Sequence, residues 1–226
     1  MVRRVNLILR LEESSLSVPF IYYLSLGSNA LPPLIGFYRR KELHAETRVM
    51  FVFMTISLCI TMIGYILAEL KISNLWLSNI FFLFEYAFLT WIISYWIHSK
   101  KIKMLVLLTI PLILCMWVLA KLLMKDFLKF DNYFSSIEKL FLIIIACYVL
   151  FQLHKSSETS LIRTVSLWIL AGVLITCAGN LLIFALFNTF IYIPLEDFTK
   201  VYSLHWSSNI LMNVCYSLGF LCLRRP

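Results

Sequence analysis

Apolar runs of eighteen or more residues recur along almost the whole chain. Each is long enough to cross about 30 Å of hydrocarbon as a helix, which needs about 20 residues. A membrane barrel would instead show short segments alternating with period two. Those runs therefore predict an all-α, polytopic membrane protein. Composition agrees, since 61% of the 226 residues are hydrophobic and only 14% are charged, against about a quarter charged in a soluble chain.

Seven spans are predicted, at about 17–38, 49–70, 74–97, 103–124, 135–153, 164–190 and 201–223. Residues 1–16 read as an interfacial segment, and residues 17–226 as a seven-helix bundle. Glu196 to Lys200 reads as a solvated loop before the last span. The net charge of +8 comes from lysines and arginines in short loops, where they orient helices and touch anionic headgroups. The lipid bilayer, not nucleic acid, is the partner this implies. Eleven basic residues fall on the side of Arg39–Lys41 and Lys100–Lys103, and nine, Lys139 among them, on the other. That bias predicts an inner or plasma membrane protein with its N-terminus outside and its C-terminus in the cytoplasm.

One pattern occurs twice. Trp76, Ser78, Asn79, Ile80 and Tyr86 recur 130 positions later as Trp206, Ser208, Asn209, Ile210 and Tyr216, five identities in eleven positions. A second echo pairs Ile60, Thr61 and Gly64 with Ile175, Thr176 and Gly179 at an offset of 115, which also matches Arg48 to Arg163. Read as a duplication, residues 17–97 form one repeat, 103–124 a connector helix and 135–223 a second repeat. Both copies run in the same direction, so the repeat is parallel. Chance similarity between apolar helices is the other reading.

Membrane helices pack through small and weakly polar residues. Span one carries Ser25, Ser28, Asn29, Pro32 and Gly36 on one stripe. In span two Ser57, Thr61, Gly64 and Ala68 read as a packing seam. Span six offers Gly172, Thr176, Gly179 and Asn180, and span seven His205, Asn209, Asn213 and Tyr216. Glu85, near the middle of span three, is the costliest residue, at about 2.5–3.5 kcal/mol for a central acidic side chain. It must be protonated, face a wet cavity or bond a polar neighbour, with Asn213 or Tyr86 as candidates. Its readings are a proton-coupling or ligand-binding group and a helix-linking acid. His205 has no second ligand at i+4, so it reads as a hydrogen-bonding group and no metal is expected. All six cysteines sit in apolar segments without C-x-x-C spacing. No hydrolase, phosphate-loop or zinc-protease signature is present, so neither an enzyme nor a cofactor is read. The candidate ligand-binding set is Asn29, Asn79, Glu85, Tyr86, Asn180, His205, Asn209, Asn213 and Tyr216.

Seven helices as 3+1+3 parallel repeats, with an asparagine at corresponding places on helices three and seven, resemble the SWEET sugar transporters and the nicotinamide riboside transporters. The resemblance lies in architecture. It implies that Asn79 and Asn209 face a solute together, that Pro32 and Pro33 match a helix-one proline of the family, and that the chain moves a small polar molecule. A second expectation is a sensor or signalling subunit whose basic inner loops dock a partner membrane protein, and a homo-oligomer fits either.

Overall fold

The computed structural model describes residues 19–124, 132–156, 164–186 and 194–223, and every regular element within them is helical. The segment expected at 1–16 lies outside the described residues. The α-helices are α1 Phe20–Ser28, α2 Leu31–Tyr38, α3 Ala45–Glu69, α4 Leu75–Ser94, α5 Lys100–Met124, α6 Asn132–Ser156, α7 Val165–Ala185 and α8 Leu195–Leu221. Five of them, α3 to α7, are long and apolar enough to cross a membrane. The last helix, α8, has 27 residues, about 40 Å at 1.5 Å per residue. Its amides, hydroxyls and charged first turn dilute its apolar character.

Helix ends fall near the expected ones, with two corrections. The last helix starts at Leu195, so Glu196–Lys200 is helical and not a loop. Pro194 caps it and Phe198, 4% exposed, packs with Ile183 and Phe184; a proline beside the first turn and a buried anchor favour that extension. The sixth span ends at Ala185, short of residue 190.

The first span is broken. Between α1 and α2, Asn29 and Ala30 keep right-handed helical angles, but their N–H groups bond only three residues back, to Leu26 and Gly27. Pro32 and Pro33 lack the N–H groups that Ser28 and Asn29 carbonyls would receive, and their rings crowd those carbonyls. Ser28 Oγ and Asn29 Nδ2 instead donate to the Ser25 carbonyl, at 2.7 and 3.0 Å. Asn29 Oδ1 and the Ser25 and Ser28 hydroxyls meet the asparagines of α8 from this rod.

Neighbouring helices form a ring in which α1–α2 packs on α8, α8 on α7, α7 on α6, α6 on α4, α4 on α3, and α3 back on α2. Helix α5 lies outside, against α4 and the edge of α6. Only 11% of its apolar stretch is buried, against 50% for α7, which fixes it as peripheral. The tightest seam is α7 against α8. A Cβ on Gly172 would stand 2.6 Å from Tyr216 Cε1, and one on Gly179 would collide with Ser208 Oγ. Glycine permits that approach because it brings no side chain. At the end bearing Arg39, a hydrogen bond from its guanidinium to the Leu223 carbonyl ties the end of α2 to the end of α8, and Glu42 pairs with the same guanidinium at 2.5 Å.

Candidate ligand cavity

The two halves of the ring are filled differently. Toward the α2–α3 and α4–α5 turns, Met50, Leu89, Ile92, Val149, Leu170 and Phe220 are at most 1% exposed and form a continuous core. Toward the α3–α4 turn, a half-enclosed cavity of about 370 Å³ opens between α1, α3, α4, α7 and α8. Such a volume lies at the lower end for small-molecule sites, roughly 300–1,000 Å³.

The small residues of α3 form one wall. Ser57, Thr61 and Gly64 line the cavity and do not close the seam expected of them. Aromatic rings form much of the rest. Phe82 and Phe184 meet at 5.4 Å between centroids, and Tyr202 lies 4.9 Å from His205 and 5.5 Å from Trp206. Trp206 in turn meets Tyr22 of α1 at 5.7 Å.

Amides supply the polar side. Asn209 Nδ2 donates to Ser25 Oγ at 2.9 Å, and Asn213 Nδ2 donates to Ser28 Oγ at 2.9 Å and to Asn29 Oδ1 at 3.1 Å. These bonds stitch α8 to the interrupted α1–α2 rod. On α7, Asn180 Nδ2 donates to Thr176 Oγ1 at 3.2 Å, while its Oδ1 lies 2.9 Å from His205 Nδ1. With Asn180 Oδ1 as acceptor, Nδ1 of His205 carries the proton.

The floor is ionic. Glu85 of α4 and Lys139 of α6 both line the cavity. Lys139 Nζ donates to Glu85 Oε2 at 2.6 Å and to Glu138 Oε1 at 3.1 Å. The ammonium also sits 5.4 Å from the Phe82 ring centroid, a cation–π contact. Lys139 and Glu138 are each 2% exposed. Charges so deep persist only when paired and hydrogen-bonded.

Five of the nine expected site residues line this cavity: Asn29, Glu85, Asn180, His205 and Asn209. The other four do not. Asn213 is buried under it, in the lattice to α1. Tyr86 turns away and shares a 2.6 Å hydrogen bond with Thr109 of α5. Tyr216 lies over Gly172 in the α7–α8 seam. Asn79 is 3% exposed but sits roughly 120° around α4 from Glu85, six residues at about 100° each. The two look-alike stretches also present their tryptophans differently, with Trp76 43% and Trp206 4% exposed. Neither Asn213 nor Tyr86 is the partner of Glu85.

Lys139 and Glu138 are the residues that sequence reasoning missed. Lys139 was counted among the loop charges of the outer side; it lies two turns inside α6. Two adjacent charges set within an apolar run, opposite a lone mid-span glutamate, were the available signal. No family model, curated protein or solved structure matches this chain.

Proposed function

We propose that this chain is a seven-helix membrane carrier that binds a small polar solute in the half-ring cavity and moves it across the bilayer without chemical conversion. The observation that carries the reading is a cavity with amide and hydroxyl walls, an ionic floor and a packed core beneath it. Ionisable groups inside a membrane mark substrate or ion pathways by default. The broken rod beside the cavity adds to this, because carriers commonly bind solute at interrupted helices. Asn209, Asn180 and His205 would hydrogen-bond the solute, with Trp206, Tyr202 and Phe82 against its apolar parts.

In the same reading α1–α2, α8 and five spanning helices make seven crossings, with the N-terminus outside. Moving Lys139 off the loops leaves eleven basic residues facing eight, which widens the charge bias. Neighbour order around the ring is what two parallel three-helix units joined through α4–α6 and α8–α1 would give. The packed inner half favours one second reading, a sensor that binds solute without releasing it inward.

Uptake into proteoliposomes of a radiolabelled panel of amino acids, sugars, amines and nucleosides tests the proposal. Saturable uptake that falls at least tenfold in Asn209→Ala supports the carrier. Saturable binding with no uptake for the same compound supports the sensor instead.

A further inference from the structure

Beneath the cavity, one ammonium is shared by two carboxylates. We infer that Glu138 and Glu85 hold one exchangeable proton between them, and that this proton is the ion to which solute movement is coupled. The proton site stands on the cluster alone; the coupling rests on the carrier reading above.

Charge balance carries the argument. Lys139 Nζ touches Glu85 Oε2 at 2.6 Å and Glu138 Oε1 at 3.1 Å, so a fully ionised cluster would keep one negative charge. Among the described residues, the titratable groups near it from neighbouring helices are Tyr86 on α4, Cys177 on α7, and Tyr216 and His205 on α8. None is a permanent cation. Lys121 of α5 lies over Trp117, 5.7 Å from its ring centroid. An uncompensated charge at this depth is strongly unfavourable. A solute cation in the cavity would meet Glu85, but Glu138 does not line the cavity and is 2% exposed. A proton is the cation that fits.

Geometry also gives the route. A proton arriving in the cavity adds to the Glu85 carboxylate. Lys139 passes one N–H proton to Glu138 as it takes the new one from Glu85. A carboxylic acid forms at Glu138, the Glu85 carboxylate is restored, and the ammonium is unchanged. The shorter contact to Glu85 makes Glu85 the ionised member of the pair and Glu138 the acid.

Infrared difference spectroscopy on the full chain in lipid nanodiscs reads this proton directly. Near neutral pH the wild type shows one carboxylic-acid C=O band. Glu138→Gln removes it and leaves the Lys139–Glu85 pair intact. Glu85→Gln also removes it, because Glu138 then becomes the carboxylate that Lys139 needs. Lys139→Met doubles it. A wild type without the band, or a band unchanged in Glu138→Gln, overturns the proton site. Coupling is read separately, by an internal pH dye in proteoliposomes exposed to the solute panel. Uptake that acidifies the lumen in wild type but not in Glu138→Gln supports it. Uptake with no pH change overturns the coupling and leaves the carrier standing; a band with no uptake of any solute keeps the proton site and removes the carrier.

Discussion

Replacing Lys139 with methionine tests the ionic floor most directly, because methionine keeps the length and apolar bulk of the side chain and deletes only the charge. Two carboxyl groups, 2.6 and 3.1 Å from the lost ammonium, then lose their shared partner. The folded bundle escapes by protonating the one that was ionised. Holding a carboxyl of ordinary pKa, about 4.3, as an acid at about pH 7 costs about 1.36 kcal/mol per unit, or about 3.7 kcal/mol. That agrees with the roughly 3–5 kcal/mol seen when one partner of a buried pair is removed. The sign with pH follows. Folding Lys139→Met takes up two protons, one on each carboxyl, where folding wild type takes up one, on Glu138 alone. The gap between them therefore narrows by about 1.4 kcal/mol for each unit the pH falls toward the acidic range. Denaturant titration in micelles, followed by the fluorescence of the six tryptophans, measures both quantities. Adding Glu85→Gln to Lys139→Met should recover most of the loss. A Lys139→Met protein as stable as wild type near neutral pH, or a deficit that does not change with pH, would refute the reasoning.

The remaining expectations concern the frame around the cavity. Asn213→Ala removes a side chain 1% exposed and its bonds to Ser28 Oγ and Asn29 Oδ1, and should destabilise by about 1–2 kcal/mol in the same titration. Asn209→Ala removes bonds at 2.9 and 3.4 Å from a half-buried side chain and should cost under about 1 kcal/mol, so its larger effect is on solute uptake. Lys71 closes α3 in the left-handed region at φ 57°, with Lys71 N–H bonded to the Ala68 carbonyl and Ile72 N–H to that of Leu67. That is the helix ending glycine favours, so Lys71→Gly should stabilise the bundle by up to about 1 kcal/mol, seen as a rise in thermal midpoint.

The all-helical character and the placement of the five long apolar helices were legible because hydropathy over about twenty residues is an additive, local property. So was the peripheral place of α5, whose span holds few polar or small residues beyond Thr109, Pro111 and Cys115. The inward stripes of α1, α7 and α8 were legible from helical spacing alone. What spacing does not reveal is which partner a stripe meets. The echo between Trp76–Tyr86 and Trp206–Tyr216 preserved residue types, yet α4 has α3, α5 and α6 as neighbours while α8 has α1, α2 and α7. Identical letters therefore turned to different surroundings, and Asn79 and Asn209 do not share a wall. Lys139 was misplaced for a related reason: a charge near a helix start reads as a loop charge until its acidic partners on α4 and α6 are in view.

The stripe of small residues on α3 shows how packing becomes a site. Ser57, Thr61 and Gly64 would close a seam if a flat helix came against them. Helix α3 has only α2 and α4 as its main neighbours, because α7 and α8 are committed to each other through Gly172 and Gly179. Across from α3 stand Phe184, Tyr202 and Trp206, packed at tilted or edge-on angles against one another or His205, and these rings hold α7 and α8 off. Below, the α3–α4 contact is filled by Phe53 stacked on Phe84 and Phe88, at 6.0 and 5.9 Å, so the gap cannot extend inward. The void is thus set by where glycine lets two helices close and where aromatic rings keep a third away, and the ionic pair at its base sits at the boundary between the two.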